Sequence, residues 1–200
     1  MIEPRYIRNM AQDEAEISAF SALLAREGVL SYLEIGSKFG GSLWRAANAL
    51  PIGSRIVSVD MPGGTKAWKD SEASLKECHA ALTARGYETY AIWGNSTDPA
   101  VIEQVRELGP FDAALIDADH RWDSTNPVPN GVAADFHNYG PMANIVSFHD
   151  LAWKRAPDWE GTRIDVPEFW ASIKGDYQRT EEIILCPTGN NNGIGVLWRE

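Results

Sequence analysis

Cysteine is nearly absent from this 200-residue chain: there are two, Cys78 and Cys186, and no C-x-x-C spacing. That argues against a disulfide framework or a thiolate zinc site and leaves the pair as expected core thiols. Basic residues are also in deficit, 18 Lys and Arg against 28 Asp and Glu, for a net charge of −10. The longest basic cluster is Trp153-Lys154-Arg155. A nucleic-acid groove needs a Lys/Arg face to displace counterions, so no nucleic-acid partner is expected. No apolar run approaches a membrane span, and Met1-Ile2-Glu3-Pro4-Arg5 lacks the charged-then-apolar order of a secretory leader. The expectation is a cytoplasmic protein without a membrane partner. Internal repeats and low-complexity tracts are missing too, as is a Tyr-x-x-x-Lys pair of the kind a hydride-transfer site uses.

What is present is 44% hydrophobic residues, enough for one domain with a sizeable core over residues 1–200. Apolar residues at helical spacing run through 11–27 and stop at Gly28; further helices are expected over 43–50, 71–85, 98–108, 132–139 and 166–174. Asp98-Pro99 is a good helix start, a capping acid followed by proline at the first position. Between the helices lie short apolar runs, 32–35, 55–60, 88–93, 111–117, 145–148, 181–186 and 194–198. Strands alternating with helices predict an α/β fold, a doubly wound and mostly parallel sheet. The last two strands have only a tight polar turn, Asn190-Asn191-Asn192-Gly193, between them and are expected to form an antiparallel hairpin.

The stretch around which the rest is arranged is Ser31 to Ser42. A short strand carrying Glu34 breaks into glycines and restarts as a helix, which aims backbone N–H groups and a helix N-terminus at the strand's carboxyl end. A dinucleotide fingerprint needs a second glycine where Lys38 stands, and a phosphate-cradling loop needs lysine where Ser42 stands. Glu34, two residues before Gly36, would repel phosphate and suits a cationic ligand bearing an amino group. Asp60, at the end of the second strand, can accept both hydroxyls of a ribose.

The fourth predicted strand leaves the sheet as Leu115-Ile116-Asp117-Ala118-Asp119-His120, and the fifth as His149-Asp150. Taken singly, these are strand-end histidines and a helix cap. Adjacent parallel strands end side by side, however, so Asp117, Asp119, His120, His149 and Asp150 should gather at one rim. A cation there would offset the repulsion between the acids. Carboxylates with little thiol suit Mg²⁺ or Mn²⁺, and the imidazoles also tolerate Fe²⁺, Ni²⁺ or Zn²⁺. His79 and His137, on helical stretches, read as structural. Trp122, Trp153 and Trp159 fall on loops over the rim and read either as walls for a flat acceptor or as loop anchors.

Glu34-x-Gly36-x-Lys38-x-Gly40 resembles the first motif of class I S-adenosylmethionine-dependent methyltransferases, E/D-x-G-x-G-x-G, with Lys38 in place of the middle glycine. Ile116-Asp117-Ala118-Asp119 resembles the D-x-D strand end of metal-dependent small-molecule O-methyltransferases, the catechol, caffeoyl-coenzyme A and antibiotic-sugar enzymes. The likeness spans nearly the whole chain, including Gly193-Ile194-Gly195-Val196. It implies a Rossmann-like methyltransferase fold and a donor site built from Glu34, Gly36, Ser37 and Gly40, with Asp60 and Met61 at the ribose. Asn95 and Ser96 fall where the family holds the adenine. Asp117 would touch the cofactor and also bind the metal with His149 and Asp150, where the family has an acid–acid or acid–amide pair. The base is Asp119 by analogy with the sugar enzymes, or His120 by analogy with the catechol type.

The function expected is methyl transfer from S-adenosylmethionine to a small hydroxylated molecule, assisted by a divalent metal, with a homo-oligomeric form left open. Alternatives are a metal-independent or cephalosporin-hydroxylase-like relative, a cofactor-binding subunit without turnover, and a nicotinamide oxidoreductase.

Overall fold

The computed structural model describes residues 4–63, 70–152, 164–185 and 193–199. Seven strands form one sheet: β1 (Ser31–Ile35), β2 (Arg55–Asp60), β3 (Glu88–Trp93), β4 (Phe111–Ile116), β5 (Ala143–Phe148), β6 (Thr180–Ile183) and β7 (Ile194–Trp198). Their order is β3-β2-β1-β4-β5-β7-β6. The first five pair in parallel, and β7 lies antiparallel to both β5 and β6. The doubly wound sheet and its reversed C-terminal pair match the expectation. Cys186 and Asn190 to Asn192, at the turn between the last two strands, lie outside the described residues.

Strand residues alternate between two cores. Tyr32, Ile56, Ala113, Leu115 and Ile145 face helices α1 (Arg5–Arg8), α2 (Glu14–Arg26), α3 (Gly41–Ala49) and α4 (Ser71–Ala84). Leu33, Val57, Ala114, Val146 and Phe148 face α5 (Pro99–Leu108), α6 (Val132–Tyr139) and α7 (Val166–Ile173). With both sheet faces covered, the central strands are apolar on both sides, which is why they read as continuous runs rather than alternating ones.

Local chemistry sets the ends. The Asp13 side chain accepts from the N–H groups of Ala15 and Glu16, so α2 starts later than the apolar spacing suggested. Asp98 caps α5 through the N–H of Ala100, with Pro99 in the first turn. Helix α3 begins at Gly41, two residues before the expected start, because Gly40 is left-handed (φ 88°) and turns the chain at once into the helix. The single turn α1 was not foreseen; it is too short for a period and is held by Tyr6 packing on Trp44, ring centroids 5.0 Å apart. Among the described residues, no helix is long and apolar enough to cross a membrane.

The consequence for function is positional. All five parallel strands release the chain at the same edge of the sheet, and the strand order reverses at β1, which has β2 on one side and β4 on the other. The crevice of a doubly wound sheet forms at such a reversal.

Candidate active site

The loop leaving β1 is held by its neighbours on both sides. Gly36 N–H donates to the carbonyl of Val59 (2.9 Å), and Asp117 N–H donates to that of Ile35 (2.8 Å). A Cβ on Gly36 would lie 2.3 Å from the Asp117 carbonyl oxygen, so only glycine lets this loop rest on the β4 exit. Its φ of 91° points the same way. Lys38, at φ 50°, takes the left-handed turn that the resembled motif gives to glycine. Its N–H donates to the carboxylate of Asp60, whose other oxygen accepts from Met61 N–H (2.7 Å). Each Asp60 oxygen keeps a further lone pair for a hydroxyl. Burial raises the Asp60 pKa against the pull of those two N–H donors.

Glu34 sits beneath this loop with no exposed surface. Its oxygens accept from the hydroxyls of Ser42 (2.8 Å) and Tyr32 (2.8 Å), which ties the end of β1 to the first turn of α3. Burial pushes its pKa up to about 7, against the lowering effect of both hydroxyls. Cys78 packs under Gly40 from α4, its thiol donating to the Gly40 carbonyl at 3.3 Å.

One rim holds the next group. Asp117 Oδ1 is 3.0 Å from His120 Nε2 and 3.4 Å from His149 Nδ1, while Oδ2 accepts from Gln12 Nε2 at 2.7 Å. Asp150, itself at φ 64°, lies 3.1 Å from His149 Nδ1 and 3.3 Å from His120 Nε2. Burial alone would raise the Asp117 pKa; the charges and hydrogen bonds of His149 and His120 hold it well below the usual carboxylate range. Burial works to lower both histidines, yet Asp117 and Asp150 prevail and raise them. Asp117, His149 and Asp150 offer one ligand atom each within 4.8 Å of one another. Two carboxylates and an imidazole this close are a donor set that a divalent cation would suit, and His149 Nε2 is buried with no hydrogen-bond partner among the described residues.

Other predicted residues stand around this centre. Asp119 is turned to Arg121, with contacts of 2.9 and 2.6 Å to its guanidinium, and it is not one of the three residues that could hold an ion. Burial opposes the shift, but Arg121 lowers its pKa. Asn95 Oδ1 accepts from the N–H and hydroxyl of Thr97, and the Ser96 carbonyl from the Tyr139 hydroxyl (2.6 Å), so both lie in the β3 exit turn. Ser37, beside Gly36, is buried. His79 packs in α4 with Nε2 2.7 Å from the Ser58 hydroxyl. Trp122 packs edge-on against Phe169, centroids 5.5 Å apart, and walls a cavity of about 430 Å³ on the outer side of α6. Neither Asp117, His149 nor Asp150 lines that cavity. Trp153 and Trp159 lie outside the described residues.

Two neighbours of the site were not foreseen. Gln12 is 105 positions from Asp117 and carries no local signal; only the packing of the segment before α2 brings it in. Asp135 had a readable one: it shares the buried face of α6 with Val132 and Tyr139, and an acid on an apolar stripe needs a reason. Burial pushes its pKa up to about 6, and both its carboxylate oxygens are buried with no hydrogen-bond partner among the described residues.

No protein-family model and no curated protein matches the sequence. Solved structures match in fold. The O-methyltransferase TomG of Streptomyces achromogenes, involved in tomaymycin synthesis and solved with SAM, superposes with a TM-score of 0.68 at 17% identity, over 96% of this chain and 83% of that one. A Staphylococcus aureus protein assigned as a caffeoyl-CoA O-methyltransferase gives 0.67 at 15% identity, covering 94% and 85%. An O-methyltransferase of Bacillus cereus in complex with SAH gives 0.63 at 19%, covering 96% and 85%. The chain has the fold of these methyltransferases.

Proposed function

We propose that this chain is an S-adenosylmethionine-dependent O-methyltransferase acting on a small hydroxylated molecule with the help of a divalent metal ion. One observation carries the reading. Asp117 belongs to two assemblies at once, since its backbone receives the glycine loop while its carboxylate joins His149 and Asp150. A donor lying on the loop and an oxygen held by the acid group would therefore meet at Asp117.

The donor pocket would be formed by the backbone of Gly36, Ser37 and Gly40, with Glu34 bracing it from below. Asp60 would take the ribose hydroxyls beside Met61, and Asn95 and Ser96 the adenine edge. S-adenosylmethionine brings an electrophilic methyl on a good leaving group, so positioning supplies much of the acceleration. Asp117, His149 and Asp150 would hold the metal, and their oxygen-rich donor set suits Mg²⁺ or Mn²⁺, with one imidazole tolerating a softer ion. A divalent ion there lowers the pKa of an adjoining hydroxyl and fixes its oxygen. His120 borders this group and Asp119 is engaged by Arg121, so His120 is the better placed base; its Nε2–H donates to Asp117, which leaves Nδ1 to take a proton.

A metal-independent reading rests on a specific feature as well, because His120 and His149 already offer positive charge to both acids. The test combines binding and turnover. S-adenosylhomocysteine should raise the melting temperature and NAD should not. Mass spectrometry on a panel of hydroxylated acceptors should find the gain of one methyl, abolished by chelator. Stabilisation by NAD alone would overturn the reading; methyl transfer that survives chelation would transfer it to the metal-independent form.

A further inference from the structure

Gln12 makes the one contact to Asp117 that the proposed reaction leaves unused. Its Nε2 lies 2.7 Å from Asp117 Oδ2, across 105 positions of sequence. An ionised carboxylate only accepts, so the amide presents its N–H here. The two Asp117 oxygens therefore have different partners. Oδ2 takes the Gln12 amide, while Oδ1 faces His120 Nε2 at 3.0 Å and His149 Nδ1 at 3.4 Å. The Asp117 side chain is only 8% exposed, so little water competes for either oxygen. The chain on both sides of Gln12 is held in place. Asp13, the next residue, caps α2 through the N–H groups of Ala15 and Glu16, and Glu14 pairs with Arg45 of α3 at 2.9 Å. On the other side, the segment rests on the first residue of α3: a Cβ on Gly41 would lie 2.6 Å from Met10 Cβ and 2.7 Å from the Tyr6 carbonyl oxygen. Gln12 thus reaches Asp117 from a backbone fixed at either end.

We propose that Gln12 is a positioning residue for Asp117: its amide holds Oδ2 and keeps Oδ1 toward His149, so that Asp117 meets a divalent ion in one orientation. The inference rests on the metal reading above and adds to it the residue that orients one of the ligands. A carboxylate without such a partner turns about its terminal bond and offers either oxygen or both. Fixing it before the ion arrives spares that ordering on binding. Hydrogen bonds to ligating carboxylates are a general means of orienting them, and their loss typically costs about 10–100-fold in metal affinity. Being neutral, the amide orients Asp117 without repelling a cation, as an ammonium in its place would.

The experiment is calorimetric titration of MnCl₂ into the full chain, comparing wild type with Gln12→Met, Gln12→Ala and Glu14→Ala. Gln12→Met keeps the length of the side chain and drops the donor; it should bind Mn²⁺ about tenfold or more weakly than wild type. Gln12→Ala should do the same and serves as the second variant should Gln12→Met fold poorly. Glu14→Ala breaks only the exposed pair with Arg45 on the same segment and should bind Mn²⁺ as wild type does. Unchanged Mn²⁺ affinity in the Gln12 variants, with wild type binding, would overturn the role of Gln12 and leave the metal reading standing. An equal loss in Glu14→Ala would assign the effect to docking of the segment and would overturn the role of the amide as well. No Mn²⁺ binding in wild type, with S-adenosylhomocysteine still bound, would remove the metal reading and this inference with it.

Discussion

Gly36 shows how little room the site leaves for its residues. A methyl group there would sit 2.3 Å from the Asp117 carbonyl oxygen and would also have to adopt φ 91°. Gly36→Ala should cost about 3 kcal/mol or more, read as a lower urea midpoint, and should abolish binding of S-adenosylhomocysteine. Two buried titratable groups give opposite pH responses. Burial lowers the His79 pKa to about 4 from 6.5, so its contribution is intact above 6.5 and is lost as pH falls through 4. The wild-type advantage over His79→Gln should shrink by about 2–3 kcal/mol between pH 7 and pH 4.5 in urea unfolding. Glu34 runs the other way: raised from 4.5 to about 7, its contribution is full below 4.5 and is lost as pH rises through 7. Glu34→Gln should therefore gain on wild type as pH is taken from 5 to 8; parallel curves would exclude a buried, proton-retaining Glu34. Residue types at the site were legible because glycines, acids and histidines stand at strand ends. Lys38's left-handed backbone and the pairing of Asp119 with Arg121 were not, since both depend on neighbours that only the folded loop supplies.

Among the elements, helices were the most readable, since their ends carry their own chemistry. Asp98 caps α5 and Asp13 caps α2, each through its own side chain. Asp98→Ala should lower stability by about 1 kcal/mol without changing ligand binding, a difference that thermal unfolding resolves. A less obvious link runs from α2 to the C-terminal strands. Glu16 has no exposed surface, and its carboxylate accepts from the N–H groups of Leu185 (2.8 Å) and Gly193 (2.7 Å). Glu16→Ala would leave the buried Gly193 N–H unsatisfied and should cost about 2 kcal/mol or more; a loss of only a few tenths in chemical unfolding would show that other contacts hold β7. No pattern around Glu16 announces this bond, because its partners lie more than 160 positions away. The order β5-β7-β6 has the same origin: an antiparallel pair was foreseen, whereas the insertion of β7 beside β5 depends on which strand edge is left open.

For the whole molecule, ligand binding is the scale at which the functional reading is tested. Saturation with S-adenosylhomocysteine at a hundred times its dissociation constant adds about 2.7 kcal/mol, or about 5–10 °C in melting temperature for a chain of this size. No shift at that concentration would argue against the donor pocket. The alternation of helices with apolar runs was enough by itself to determine an α/β sheet and the set of strand tips that carry chemistry, because period and end signals are local properties of the chain. It also determined what the protein lacks: thiol pairs, basic tracts and long apolar spans. Which tips touch was decided by the tertiary structure alone. Strand order brings Asp60 and Asp117 to either side of the β1 loop, seats Gln12 on Asp117, and turns Asp119 to Arg121. Those contacts join residues distant along the chain, and only packing of the whole sheet and its helices brings them within bonding distance.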